Sequence, residues 1–324
     1  MNVLVTGGYG FIGSAFVRKM MSGLADKVVV LDKMTYAADP ESIESVRTPL
    51  EPGRLIEVVG DICDCDLVRF IMGHYGIDTV VNFAAESHVD NSISDASQFV
   101  QTNVLGTLNL LDCALECHRE DDFNFFLQVS TDEVYGSLTS EEDPAFTESS
   151  PIQPHNPYSA SKAGADHLVH SYWNTHKLPT AITRCSNNFG PWQHPEKFMP
   201  KVITNALKGE KIPVYGRGAQ MRDWLYVTDH VNALWNVTAL AEPGEVFNIG
   251  SGQSMSNLNM AKLILDVVGA DESLIEFVDD RPGHDLRYCM DSSKIISENF
   301  WLPEVSLREG IDRTVYFYKE RLGL

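Results

Sequence analysis

A short β-prone run, residues 2–6, feeds directly into Gly7-Gly8-Tyr9-Gly10-Phe11-Ile12-Gly13, and an apolar helical pattern follows over 11–21. Few chain segments restrict a fold so strongly. Glycines at 7, 10 and 13 let the backbone turn tightly and come close to another group, while a helix opening there presents N–H donors and partial positive charge. The spacing is Gly-x-x-Gly-x-x-Gly, one residue off the commoner Gly-x-Gly-x-x-Gly, but the physical demand is the same. Asp32 closes the next β-prone run, 19 residues after Gly13. Its carboxylate is placed to accept hydrogen bonds from an adenosine ribose and to repel a 2′-phosphate. Strand, glycine turn, helix and acid together predict a dinucleotide site that takes NAD rather than NADP.

The rhythm continues. Further β-prone runs cover 27–31, 55–59, 79–83, 125–129 and 180–184, with helical periodicity between most of them, notably over 99–117. Such alternation predicts a Rossmann-type α/β fold, a doubly wound parallel sheet covered on both faces. After Gly190-Pro191 the beat breaks into shorter mixed elements. The 324 residues exceed what one core usually holds. They divide into an NAD-binding domain over 1–185 and a smaller α/β substrate-binding lobe over 186–324, with roughly 213–250 able to return to the first. Ligands of such sheets sit outside the carboxyl ends of the strands. Asp61 and Ile62 after the third strand, and Ala84 and Ala85 after the fourth, therefore belong to one edge. The acidic stretch 140–150 reads as a solvated surface connector.

Charge narrows the partners. Lys+Arg 25 against Asp+Glu 45 leaves −20, a field that repels polyanions and argues against nucleic acid. A small anionic ligand stays admissible where basic residues gather. No apolar run approaches the ~18 residues needed to cross a bilayer, and the first residues read as a strand, not as an export signal. The six cysteines (63, 65, 113, 117, 185 and 289) lack metal-ligand spacing, so no metal is expected. They suit a reducing, cytoplasmic setting.

Two further motifs carry chemistry. Tyr158 and Lys162 stand four apart on a helical pattern and so share one face. A cation there is expected to lower the phenol pKa towards that of a working base. The fifth strand runs into Thr131-Asp132-Glu133. Adjacent carboxylates on a continuing strand would face opposite ways, so the backbone must turn if both are to serve one site. Two close carboxyls cannot both ionise easily, which yields an acid beside a base.

With Thr131-Asp132-Glu133, Tyr158-x-x-x-Lys162, Ala84-Ala85-Glu86-Ser87-His88-Val89-Asp90 and Arg184-Cys185-Ser186-Asn187-Asn188-Phe189-Gly190-Pro191, the chain resembles the nucleotide-sugar 4,6-dehydratases. These form a branch of the extended short-chain dehydrogenase/reductase superfamily. His194-Pro195-Glu196-Lys197, Arg222-Asp223-Trp224 and Asp280-Arg281-Pro282-Gly283-His284-Asp285 extend the likeness over nearly the whole chain. The resemblance implies a redox-neutral lyase with NAD as a bound catalyst. Tyr158, assisted by Thr131 and Lys162, would take the O4 proton as C4 is oxidised. Glu133 would remove the C5 proton, Asp132 would protonate the departing C6 hydroxyl, and hydride would return to C6. The implied substrate is dTDP-glucose; UDP-, CDP- or GDP-hexose, or 4-epimerase or decarboxylase chemistry, are the alternatives. For the cofactor it points to Gly7, Gly10, Phe11, Ile12, Gly13, Asp32, Asp61, Ile62, Ala84, Ala85, Thr102 and Asn188, with Tyr158 and Lys162. For the nucleotide sugar it points to Ser87, His88, Asn187, Lys197, Tyr215, Arg222, Asn257, Arg281 and His284. It also implies a homodimer built on a helix bundle. Since both ligands are anions, the cleft is expected to be locally basic through Lys162, Lys197, Arg222, Arg281 and helix N-termini.

The chain departs from the family pattern at a few positions. Ala38 and Asp39 stand where Gly-Asn is common, near the adenosine end, and are expected to alter cofactor affinity. Asn91 replaces a common arginine, and Phe189 and Trp192 replace frequent tyrosines. None of these touches the motifs that carry the chemistry.

Overall fold

The protein is described here by a computed structural model, covering residues 1–47, 51–140, 142–280, 284–298 and 300–324. Arg281, one of the expected ligands of the sugar nucleotide, lies outside the described residues.

Six strands alternate with helices along the first half: β1 (Asn2–Thr6), β2 (Lys27–Asp32), β3 (Leu55–Val59), β4 (Thr79–Asn82), β5 (Phe125–Thr131) and β6 (Thr180–Cys185). Three short strands follow, β7 (Asn187–Phe189), β8 (Ile212–Tyr215) and β9 (Met221–Tyr226), then β10 (Val246–Ile249), β11 (Ser254–Ser256) and β12 (Ile275–Val278). The principal sheet is seven-stranded, in the order β10-β6-β5-β4-β1-β2-β3, and every neighbouring pair is parallel. Strand order reverses beside β1. The chain first winds outward to β3, then returns to lay β4 on the other side. β10 pairs with β6, so part of the second half rejoins this sheet.

Both faces of the sheet are covered, and β1, β2, β4, β5 and β6 are accordingly buried at nearly every position. One core lies under the helices Phe11–Met21 and Val227–Leu240, and the other under Cys65–Tyr75 and Thr107–His118. A third core gathers Met199, Trp224, Ile264 and Ile311 around two small sheets, β11-β9-β7 and β12-β8.

The helical run expected over 99–117 is not uniform. Residues Val100–Gly106 form a π-helical turn before the α-helix Thr107–His118. The wider turn sets Asn103 inward, where its amide donates to Ser161 Oγ (2.8 Å) and accepts from the Glu86 N–H (2.9 Å). Such bulges recur at functional sites because they re-aim a side chain without ending a helix. The 140–150 stretch is more than a solvated connector. Phe146 stacks on Tyr135 at 5.1 Å between ring centroids, and Glu148 accepts from the Asn248 N–H at 2.9 Å.

Candidate active site

The glycine turn is built by close contacts that only glycine allows. Gly7 has φ +64°, and a Cβ there would lie 2.9 Å from the Ala84 nitrogen; one on Gly13 would lie 2.2 Å from the Gly7 carbonyl oxygen. The helix Phe11–Met21 therefore starts with its free N–H groups directly over the carboxyl ends of β1 and β4. Asp32 ends β2 and faces the same space. Its carboxylate accepts from the Tyr9 N–H (3.0 Å) and the Met34 N–H (2.8 Å) and keeps lone pairs for hydroxyls. Burial raises its pKa, and the two backbone donors work against that rise.

At the end of β5 the backbone turns as the adjacent carboxylates require. Asp132–Tyr135 form a 3-10 turn, capped by Thr131, whose hydroxyl accepts from the Glu133 N–H at 3.3 Å. Thr131 also donates to Asp132 at 3.2 Å. Asp132 is 3% exposed, and its second carboxylate oxygen has no partner. Burial first, and then the charge of Glu133, push its pKa to about 8, so Asp132 is held protonated near neutrality. The amide of Asn156, the N-cap of the helix Pro157–His176, reaches Glu133 at 3.4 Å.

That helix carries Tyr158 and Lys162. Lys162 is buried and donates to the Val129 carbonyl at 2.7 Å, and burial lowers its pKa. Tyr158 shares a hydrogen bond with Thr131, but its pKa is raised, by burial first and by Glu133 next. The expectation of a phenol acidified by its lysine is thus not met in the chain alone. Loss of solvation and the Glu133 charge set the direction, while the Lys162 ammonium bonds a backbone carbonyl.

One cavity joins these parts. Of the residues expected to hold the cofactor, Gly7, Gly10, Phe11, Ile12, Gly13 and Asp32 line it. So do Asp61, Ile62, Ala84, Ala85, Thr102 and Asn188, together with Thr131, Asp132, Glu133, Tyr158 and Lys162. On the substrate side Ser87, Asn187 and Lys197 line it too. His88 stands next to it, with its ring 3.6 Å from Glu196. Among the described residues, Arg222, Tyr215, Asn257 and His284 do not line this cavity. Arg222, on β9, is buried against the Tyr288 ring (4.2 Å) and donates to the carbonyls of Met221 (2.7 Å) and Asp285 (3.0 Å). Its charge still reaches Asp132 and opposes the rise in that pKa. Tyr215 is 44% exposed and edges His284 at 6.1 Å, while His284 bonds Asp280 at 2.6 Å. Asn257 opens the helix Asn257–Val268, its N–H on the Gln220 carbonyl.

The expected basic cleft is not what the chain builds. Among the described lining residues, six carboxylates (Asp32, Asp61, Glu86, Asp132, Glu133, Glu196) face three lysines (Lys33, Lys162, Lys197). Asp61 is neutralised by Lys33 at 2.7 Å, and Asp132, Asp32 and Glu86 have pKa values raised chiefly by burial. Backbone N–H groups and helix starts, which carry no net charge, are left to meet phosphate. Sequence reasoning missed Lys33, Asn103 and Tyr288, and gave Glu86, though part of a quoted motif, no role. Lys33 was legible as the residue after Asp32; Tyr288 had no local signal, because only folding sets it under Arg222.

The cavity fits a dinucleotide and a second polar ligand. Ser130, Asp132, Ser186, Asn187, Asn188 and Gln193 all line it, and each has a buried side-chain oxygen without a partner in the chain. Buried polar atoms are seldom left so, and their gathering in one cleft marks a place where ligand groups complete the bonding.

The family model described as GDP-mannose 4,6 dehydratase matches residues 4–314. The chain is 51% identical to the low-salt glycan biosynthesis protein Agl12 of Haloferax volcanii, over 98% of each chain. It is 45% identical to the dTDP-glucose 4,6-dehydratase of Haemophilus influenzae, also over 98% of each. Among solved structures it resembles DesIV, a dTDP-glucose 4,6-dehydratase from Streptomyces venezuelae with NAD and dTDP bound. The TM-score is 0.93 at 45% identity, covering 100% of this chain and 98% of that one.

Proposed function

The chain belongs to the GDP-mannose 4,6-dehydratase family, and on that premise we propose that it is an NAD-dependent hydro-lyase converting dTDP-glucose to dTDP-4-keto-6-deoxyglucose. The observation that carries this reading is the 3-10 turn after β5. It sets a protonated Asp132 beside Glu133, with both carboxyl groups felt at the Tyr158 hydroxyl. An oxidoreductase or epimerase acting at C4 alone has no use for a second acid–base pair.

NAD, held by the glycine turn, Asp32, Asn188 and Lys162, would supply reversible hydride acceptance. The protein side chains do the rest. Tyr158 and Thr131 hold the sugar O4, and Tyr158 takes its proton as phenolate. That form would be favoured by the positive charge brought by bound NAD, against the burial and the Glu133 charge that raise its pKa in the chain alone. Once C4 is a ketone, the C5 hydrogen is acidic, and Glu133 removes it. Asp132, kept neutral by burial, gives its proton to the C6 hydroxyl, which leaves as water; with hydride restored at C6, Glu133 would give its proton back to C5, which completes the 4-keto-6-deoxy sugar. Each such proton transfer contributes roughly 10²–10⁴ in rate. By the family match, Asn187, Arg222 and Asn257 would hold the nucleoside diphosphate, helped by Arg281 and His284, and Lys197 would contact one of the two ligands. By the same reading, residues 1–185 with β10 bind the cofactor, and most of 186–324 holds the sugar nucleotide.

The family reading extends to a homodimer in the cytoplasm. Val100 and Leu105, 48% and 45% exposed on the helical turns before Thr107–His118, supply apolar surface for a helix bundle. The Haloferax relative is a low-salt glycan biosynthesis protein, and glycan assembly in general draws on activated sugars. The test is a panel of dTDP-, UDP-, CDP- and GDP-glucose with purified protein, scored by mass for loss of one water. Turnover is expected on the dTDP sugar first. Product from none of the four would overturn the reading.

A further inference from the structure

Two of the departures noted in the sequence, Asp39 and Trp192, meet in space, and a residue near the end of the chain joins them. Arg321, on the helix Leu307–Leu322, donates to Asp39 at 2.6 Å and stacks its guanidinium 4.5 Å from the centre of the Trp192 ring. Trp192 in turn packs on Phe317 of the same helix, ring centroids 5.0 Å apart.

Each partner belongs to a different wall of the cavity. Asp39 ends the loop after β2, whose Thr35, Ala37 and Ala38 line the cavity beside Asp32. Its own N–H donates to the Tyr9 carbonyl at 2.9 Å, which ties it to the glycine turn, and its carboxylate caps the 3-10 turn Pro40–Val46. Trp192 begins the opposite wall, where Gln193 and His194 line the same cavity. It is held at φ +70°, an unfavourable conformation for a tryptophan that persists only where its surroundings enforce it. The Tyr318 hydroxyl donates to the Gln193 carbonyl and anchors this wall to the same helix. Where the walls meet, the Tyr36 ring edges the His194 ring at 5.6 Å.

We propose that Arg321 is a clasp: by pairing with Asp39 and stacking on Trp192, it holds the loop 33–39 against the segment 190–197 and so retains the dinucleotide through the catalytic cycle. This rests on NAD occupying the cavity as proposed above. A redox-neutral reaction needs such a device, because releasing the reduced cofactor midway leaves the enzyme unable to finish. Arg321, Asp39 and Trp192 act here as positioning residues. Asparagine at 39 would keep the cap but forfeit the ion pair, which gives the Asp39 departure a physical purpose.

The experiment measures release of bound NADH from the holoenzyme, followed by loss of its fluorescence on chasing with excess NAD. Arg321→Ala and Asp39→Asn are expected to release it about tenfold faster than wild type, equivalent to about 1.4 kcal/mol. Arg321→Lys, which keeps the charge without the planar stacking face, should fall between. Arg308→Ala removes an exposed ion pair of the same helix, to Asp266, that does not reach the loop, and should release at the wild-type rate. High salt should speed release from wild type and leave Arg321→Ala unchanged. Equal rates for wild type, Arg321→Ala and Asp39→Asn would overturn the clasp, provided melting curves show the variants folded; if Arg321→Ala does not fold, Asp39→Asn and the salt series decide. Failure of wild type to bind NADH at all would remove the cofactor reading, and the clasp with it.

Discussion

Asp132 and Glu133 are chemically the same kind of residue, and the fold makes them different. Asp132 points into protein and is held neutral; Glu133 stays partly accessible, with the Asn156 amide nearby. Glu133→Gln is therefore expected to abolish dehydration while leaving partial reduction of bound NAD, seen as absorbance of the reduced cofactor without loss of water from the sugar. A 4-epimerase would barely notice that change. The same substitution removes the second cause of the raised Tyr158 pKa, so the pH profile of the oxidation half-reaction should move to lower pH. Asp132 adds a stability effect whose sign follows from proton linkage. Its pKa rises from 3.8 to about 8 on folding, so the folded chain keeps a proton that the unfolded chain loses. Its contribution is full below 3.8 and is lost as pH rises through the window to about 8. Asp132→Asn should flatten that slope and stabilise the protein at pH 8 by about 1–2 kcal/mol, as judged by melting temperature, while activity falls.

At the scale of elements, the site depends on how strand ends and helix starts are joined. Arg184 at the end of β6 donates to Asp166 on the tyrosine helix at 3.0 Å, with side chains 7% and 2% exposed. It also bonds the Tyr135 hydroxyl at 2.9 Å and lies 4.9 Å from that ring's centre. One buried guanidinium thus binds the sheet, the helix of Tyr158 and Lys162, and the turn that ends in Tyr135. Asp166→Ala leaves that charge unpaired and is expected to cost about 3–5 kcal/mol in denaturant unfolding. Gly13→Ala tests the other junction. Its Cβ would overlap the Gly7 carbonyl, which is backbone and cannot swing aside. NAD affinity, measured by calorimetry, should drop about tenfold or more, as expected for ~1–3 kcal/mol of overpacking. The expected 99–117 helix was broken for a related reason. Apolar spacing reports which face is buried, but the π turn arises from Asn103 reaching Ser161 and the Glu86 loop, contacts that have no sequence period.

For the whole molecule, the −20 charge acts on the surface more than on the site. Like charges spread over an acidic surface repel, and salt screens them, so melting temperature should rise between about 0.05 and 1 M salt. The clasp at Arg321, an attractive pair, should weaken over the same range, and measuring stability and cofactor release side by side separates the two. Much of this protein was legible in its sequence. The six alternating strands, the glycine turn with Asp32, the paired carboxylates and Tyr158 with Lys162 are local patterns, because periodicity, turn chemistry and helix spacing act over a few residues. That part of 213–250 would return to the first domain was also expected, but strand order, the pairing of β10 with β6 in particular, and the meeting of Asp39 with Arg321 across 282 positions were not legible, since they depend on surfaces brought together from afar. The charge of the cleft belongs to the same class. The residue types were known, but whether a carboxylate is ionised depends on solvent and neighbours, and these exist only once the chain has folded. The sequence alone thus determined which groups are available for the chemistry; the tertiary structure decided their protonation and their separation, because burial and long-range contact set both.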